Sequence, residues 1–87
     1  MEINDLKIFY EVARYESTAE TSRNLKIGQS TISKRISVLE KELNVTLFKR
    51  TNRGMTLTKE GDILKKHAET ILVQLLLMEK ELHVSQQ

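Results

Sequence analysis

Residues 27–58 read IGQSTISKRISVLEKELNVTLFKRTNRGMTLT, and the apolar period changes once within them. From Gln29 to Leu43, the residues Ile32, Ile36, Leu39 and Leu43 recur at i, i+4, i+7 and i+11, the stripe of a helix with one buried side. Beyond Leu43, VTLFKR and MTLT are rich in β-branched and aromatic residues and read as two short strands. TNRG joins them, with Asn52 and Gly54 marking a tight turn. Leu47 and Leu57 are expected to point inward. The hairpin also gathers Lys49, Arg50 and Arg53 at its tip. A solvated loop would account for these cations, and so would a polyanionic partner.

The helix before the hairpin helps to choose. At 100° per residue its outer side carries Ser30, Lys34, Ser37 and Lys41, flanked by Thr31 and Ser33. That side holds no acid, since Glu40 and Glu42 fall to the flanks near the C-terminal end. Its first two turns offer small hydroxyls and one long cation beside a helix N-terminus, whose free N–H groups favour anions. The charge distribution agrees. The net charge is only +2, yet Arg23 to Lys59 holds nine Lys/Arg against two Glu, while the rest holds five against ten acids. A basic middle between acidic ends is the footprint expected of a nucleic-acid contact surface.

Upstream, Leu6, Phe9, Tyr10 and Ala13 set a first helix over about 5–15. Asn4 is its expected N-cap, with Ile3 and Ile8 as a hydrophobic staple. STAE at 17–20 has the form of a capping box, with Ser17 accepting from the Glu20 N–H and the Glu20 carboxylate reaching back. A short second helix follows over about 18–25, then a brief turn at KIG. Downstream, Thr58 caps a long last helix running to about residue 85, with Gly61 tolerated in its first turn. Along that helix Leu64, Ala68, Ile71, Leu75, Met78 and Leu82 are spaced 4, 3, 4, 3, 4, a coiled-coil seam. The preceding residues are too few to cover such a stripe, and Leu72, Leu76 and Leu77 widen it. Pairing with a second copy through this seam is the favoured reading, packing on its own domain the other.

The chain has 87 residues, enough for one modest core. It has no cysteine, so disulfides and thiolate metal sites are excluded. His67 and His83 stand 16 positions apart with no carboxylate at a ligand-like spacing, so no metal and no cofactor is expected. The most apolar run, ILVQLLLM at 71–78, falls well short of the about 20 residues of a membrane span. The expected architecture is mainly α: a winged helix-turn-helix of three helices and a two-stranded hairpin over 1–58, then a linker and dimerisation helix over 59–87.

The segments LKIFYEVARYES, LKIGQSTISKRISVLEKEL and LFKRTNRGMTLTKEG resemble the N-terminal DNA-binding domain of LysR-type transcriptional regulators. The resemblance runs from Leu6 to about Leu72, and its most specific part is the L-E-x-x-L…L-F-x-R…L-T-x-x-G skeleton. It implies a bacterial regulator that binds double-stranded promoter DNA on an inverted repeat. It also implies a homodimer through antiparallel linker helices, often built into tetramers, and a further domain that senses a small-molecule effector. On that reading the chain is the DNA-binding part of a longer, cytoplasmic protein.

Position by position, the resemblance places Gln29, Ser30, Ser33 and Lys34 at base-reading positions and Arg53 in the minor groove. Thr31, Ser37, Lys49, Arg50, Ser22 and Arg23 would lie along the DNA backbone. Arg50 has a second reading, as a brace paired with Glu40 or Glu42. The chain departs from the family pattern at Gly28, where serine is usual, and at Ser30, where proline is common. Thr18 replaces a phenylalanine, Thr21-Ser22 an Ala-Ala pair, and Asn44 a glycine. A protein-interaction module is the competing class. No Ser/His/Asp, Cys/His or paired-carboxylate arrangement points to an enzyme.

Overall fold

Six elements follow in order: α1 (Ile3–Tyr15), α2 (Thr18–Leu25), α3 (Gln29–Leu43), β1 (Phe48–Thr51), β2 (Gly54–Leu57) and α4 (Lys59–Ser85). The structure is a computed structural model and describes residues 1–86. The three short helices and the antiparallel hairpin form a head, and α4 extends the molecule to 50 × 26 × 20 Å. This is the winged helix-turn-helix architecture anticipated from the change of period.

The core draws on every element, α2 adding only the half-buried Leu25. Ile8, Phe9 and Val12 from α1 meet Ile32, Ile36 and Leu39 from α3, with Leu47, Phe48 and Met55 closing the hairpin side. The rings of Phe9 and Phe48 lie 5.4 Å apart at a tilt of 48°. The sequence pattern had assigned Leu6, Phe9, Tyr10 and Ala13 inward; Tyr10 is only half-buried, while Ile8 and Val12 complete the stripe. Leu43, expected in the core, is 37% exposed and lines an open apolar cleft with Val45, Ile63 and Leu64. Thr21 is fully buried in a place where alanine is usual in the resembled family. Its hydroxyl donates to the Ser17 carbonyl at 2.8 Å, so the extra polar atom is satisfied.

Several boundaries differ from the expected ones for local reasons. Helix α1 starts at Ile3, not Asp5, and is capped at Glu2 rather than Asn4. Asp5 sits three residues on, and its Oδ2 accepts from the Glu2 N–H at 3.1 Å. Ile3 is therefore inside the helix and exposed, not in the preceding position a staple requires. Strand β1 starts at Phe48 rather than Val45, because the backbone before it bonds elsewhere. Val45 N–H donates to the Glu40 carbonyl at 3.1 Å, Leu47 N–H to Glu40 Oε2 at 2.7 Å, and the Leu47 carbonyl accepts from Thr58 N–H at 3.0 Å. Thr58 in turn accepts from Gly61 N–H at 3.0 Å as the N-cap of α4.

The hairpin pairs Phe48 with Leu57, Lys49 with Thr56, Arg50 with Met55 and Thr51 with Gly54. Its positive φ, 119°, falls on Gly54. A Cβ there would also lie 2.6 Å from the Glu16 carbonyl, which accepts from Met55 N–H at 3.1 Å. The hairpin is thereby tied to the end of α1. Three helices end on a left-handed residue, and none is glycine: Glu16, Lys26 and Asn44, at φ 54°, 58° and 55°. Asparagine suits that conformation; glutamate and lysine hold it at a small cost.

Gly61 is required rather than tolerated. It is buried, and a Cβ would stand 2.2 Å from the Leu47 carbonyl oxygen and 2.8 Å from a Leu57 methyl. The first turns of α4 thus belong to the head: Gly61 and Ala68 are buried in it, and α4 lies along α1. Gly61→Ala should destabilise the protein by about 2 kcal/mol, because backbone cannot move aside as a side chain can. For a domain of this size that is a fall of roughly 10 °C in the thermal midpoint. A midpoint within a degree of the parent would show that α4 can shift freely on the hairpin.

Candidate nucleic-acid interface

The helix-turn-helix unit is held by bonds that the sequence shows only in part. Ser17 accepts from Glu20 N–H at 3.1 Å, the forward half of the expected capping box. The Glu20 carboxylate does not return to Ser17 but pairs with Arg23 one turn on. The Ser22 hydroxyl donates to the Ile27 carbonyl, and Ile27 N–H donates back to the Ser22 carbonyl at 3.3 Å. Ser22 thus bridges the turn between α2 and α3. Its one proton is committed, and Arg23 is already engaged by an acid. Of the two backbone-contact candidates on α2, Ser22 has its only hydroxyl proton committed, whereas Arg23 gives one N–H to Glu20 and keeps the rest of its guanidinium donors at the surface.

Helix α3 presents the face that its sequence promised. Gln29, Ser30, Thr31, Lys34 and Ser37 are exposed and Ser33 is half-buried. Gly28 supplies no side-chain cap, which leaves the first N–H groups of α3 open at the surface. Arg35 turns the other way. Its Nε lies 3.3 Å from Oδ1 of Asp5, whose side chain is only 7% exposed. One buried carboxylate therefore receives the Glu2 N–H on one oxygen and faces the Arg35 cation on the other. That pair ties α3 to the start of α1 and leaves Lys34 as the outward cation of the helix's first half. The sequence reading overlooked Asp5 and Arg35. An acid three residues after a possible cap was the available signal for the first, and nothing local marks the second.

The wing stands beside this face. Arg50 shares a small cleft of about 140 Å³ with Ser33, Ser37, Glu40 and Phe48. Arg50 forms no ion pair with Glu40 or Glu42: Glu40 Oε2 accepts from Leu47 N–H, and Glu42 pairs with the Met1 amine at 2.6 Å. That bond and the charge of Glu42 hold the terminal amine above its usual range. At the tip, Thr51 Oγ1 accepts from Arg53 N–H at 3.2 Å, which fixes the turn while the Arg53 side chain stays exposed. Among the described residues there are ion pairs at Met1–Glu42, Arg23–Glu20, Arg35–Asp5 and Lys66–Asp62. Lys34, Lys49, Arg50 and Arg53 take part in none of them.

The seam residues of α4 divide into two groups. Ala68 is fully buried in the head's own core, and Leu64 and Leu75 are half-buried. Ile71, Met78 and Leu82 are exposed, as are Ile63, Val73, Leu76 and Leu77. Between α4 and α1 lies an apolar cleft of about 330 Å³ lined by Tyr10, Leu25, Leu72, Leu75 and Leu76 among others. The distal half of α4 thus carries a long apolar surface that the head does not cover. No helix among the described residues is long and apolar enough to cross a membrane.

Residues 3–62 match the family model described as a bacterial regulatory helix-turn-helix protein of the lysR family. The chain belongs to the LysR family. Among similar curated proteins is the HTH-type transcriptional regulator YofA of Bacillus subtilis, 44% identical over 87 residues. The alignment takes in all of this chain and 30% of YofA, so this LysR-family chain spans under a third of that relative's length. Among solved structures, the CbnR DNA-binding domain in complex with DNA superposes with a TM-score of 0.90 at 29% identity over all of both chains. The BenM domain bound to catB site 1 DNA gives 0.92 at 29% identity, covering 95% of this chain and 92% of that one.

Within this LysR-type head, the Ser22 bridge is a bond whose contribution can be measured. Ser22→Ala removes the donor and leaves the Ile27 carbonyl short of one partner, at a cost of about 1 kcal/mol. Urea denaturation should register that loss, and an unchanged midpoint would mean water replaces the hydroxyl without cost.

Proposed function

We propose that this chain is the DNA-binding part of a bacterial LysR-type transcriptional regulator that binds double-stranded promoter DNA as a dimer on an inverted repeat. The observation that carries the reading is the set of four exposed cations, Lys34, Lys49, Arg50 and Arg53, beside an acid-free helix face and without an internal counter-charge. Like charges so placed repel one another until an external anion meets them. The likeness to the DNA-bound domains of CbnR and BenM supports a duplex as that anion.

Helix α3 is the element that fits a major groove, where donors and acceptors distinguish all four base pairs. Gln29, Ser30, Ser33 and Lys34 read base edges from its first two turns, and Thr31 and Ser37 rest on phosphates. Arg53 enters the narrow, negative minor groove, and Lys49 and Arg50 follow the backbone beside it. Ser22 contributes by holding the turn, and Arg23 meets a phosphate with the guanidinium donors that its pairing with Glu20 leaves free. Two heads joined through the exposed half of α4 set two recognition helices on half-sites one helical turn, or a multiple, apart. Ile71, Leu75, Met78 and Leu82 form that contact; Leu64 and Ala68 support it from the head's side. The full regulator adds an effector-sensing domain, assembles to a tetramer and works in the bacterial cytoplasm, with no catalytic role.

Binding through several phosphates should lose on the order of 10³-fold affinity between 50 and 200 mM salt. Weak salt dependence would favour a protein partner on the same surface. Arg53→Ala should weaken binding chiefly where an A·T-rich narrow minor groove flanks the half-site; equal loss on every duplex rules out minor-groove reading. Lys34→Ala should relax the preference at one half-site position by about 1–3 kcal/mol, seen by selecting bound sequences from a random pool. Leu82→Lys lies beyond the head and should give folded monomers in sedimentation. A dimer of unchanged strength would exclude the distal half of α4 from the contact.

A further inference from the structure

The Thr18 hydroxyl donates to Gln29 Oε1 at 3.3 Å, bridging the first turns of α2 and α3. Both residues stand at the first position of their helices, and Gln29 itself is exposed. We propose that Thr18 is a positioning residue for base reading: it fixes which end of the Gln29 amide is offered to the duplex. The inference rests on the DNA-binding reading and deepens it.

A free glutamine amide can be turned over, presenting either its carbonyl or its NH₂ group, and can therefore suit more than one base. A hydroxyl that donates to the oxygen favours one sense of that rotation. With Oε1 held at α2, Nε2 is the atom left free, and it is a donor only. The base edges that accept from it in the major groove are N7 and O6 of guanine, O4 of thymine and N7 of adenine; cytosine offers its N4 amino donor instead. Guanine presents two adjacent acceptors and is the expected preference. The anchoring bond needs a hydroxyl, and a phenylalanine or valine at position 18 could not make it.

The measurement uses this chain, Thr18→Val, Thr18→Ser and Gln29→Ala, with base preference read from sequences selected out of a random duplex pool. Gln29→Ala identifies the half-site position that Gln29 reads. Thr18→Val should reduce discrimination at that position by about 2- to 10-fold, the range of one net hydrogen bond, and leave the other positions unchanged. Thr18→Ser should restore it. In the Gln29→Ala background Thr18→Val should change nothing further. A uniform loss across all positions, an effect that persists without Gln29, or a valine profile equal to the parent's would overturn the proposal. A parent without sequence preference would fail the DNA reading itself, and with it the role in base reading. The bond can be judged separately in the free protein. There the Gln29 side-chain amide resonances should move on Thr18→Val and return on Thr18→Ser, and unmoved resonances overturn the positioning whatever the DNA result.

Discussion

The contact on which the rest of this molecule hangs is the approach of α4 to the Leu47 carbonyl at Gly61. At that point two backbones meet with no room for a Cβ. Thr58 is bonded to the same stretch, through its N–H to Leu47 and its hydroxyl to Thr46. The base of the hairpin, the cap of the long helix and the end of the α3–β1 connection are thus fixed within a few residues of one another. From there Phe48 reaches Phe9, and Met55 N–H reaches the end of α1. The wing is consequently fastened at its base beside Leu47 and again close to its turn at Met55, and only the Asn52–Arg53 turn extends beyond its supports.

The same economy of ties holds α3. Its C-terminal half buries Ile36 and Leu39, while its N-terminal half contributes Ile32 and otherwise faces outward. Orientation there depends on polar contacts: the ion pair of Asp5 with Arg35 and the hydrogen bonds of Ser22 with Ile27 and Thr18 with Gln29. Polar bonds are directional in a way that apolar contact is not, so they suit a helix that must be aimed as well as packed. Buried apolar area keeps the head folded; these three contacts set how the exposed N-terminal half of α3 stands against α1 and α2.

Much of this was legible in the residues. The change from a 3.6 period to alternating strands at Leu43 gave the hairpin, and the acid-free side of α3 gave the candidate face. The bounds of α2 and α3 followed from Ser17 and Gly28. What escaped were effects set by tertiary neighbours. Gly61 looks like a mildly unfavourable helix residue until the Leu47 carbonyl is placed beside it. Asp5 and Arg35 are thirty positions apart, and no local pattern joins them. Ala68 fits a heptad seam as well as it fits a core, because periodicity reports which side of a helix is apolar and not what covers it. The brace reading of Arg50 depended on where Glu40 points, and in the fold Glu40 turns an oxygen to the Leu47 N–H and forms no ion pair with Arg50.

Helix α4 has no proline, and its one glycine is locked at the head end. From Gly61 to Leu82 it is an unbroken rod of roughly 32 Å, at ~1.5 Å per residue. A rod clamped at its head end has no joint in which to absorb motion. A displacement of the exposed half is therefore carried to the head rather than taken up along the helix. The molecule is built as a lever, with its fulcrum where the first turns of α4 cross the hairpin.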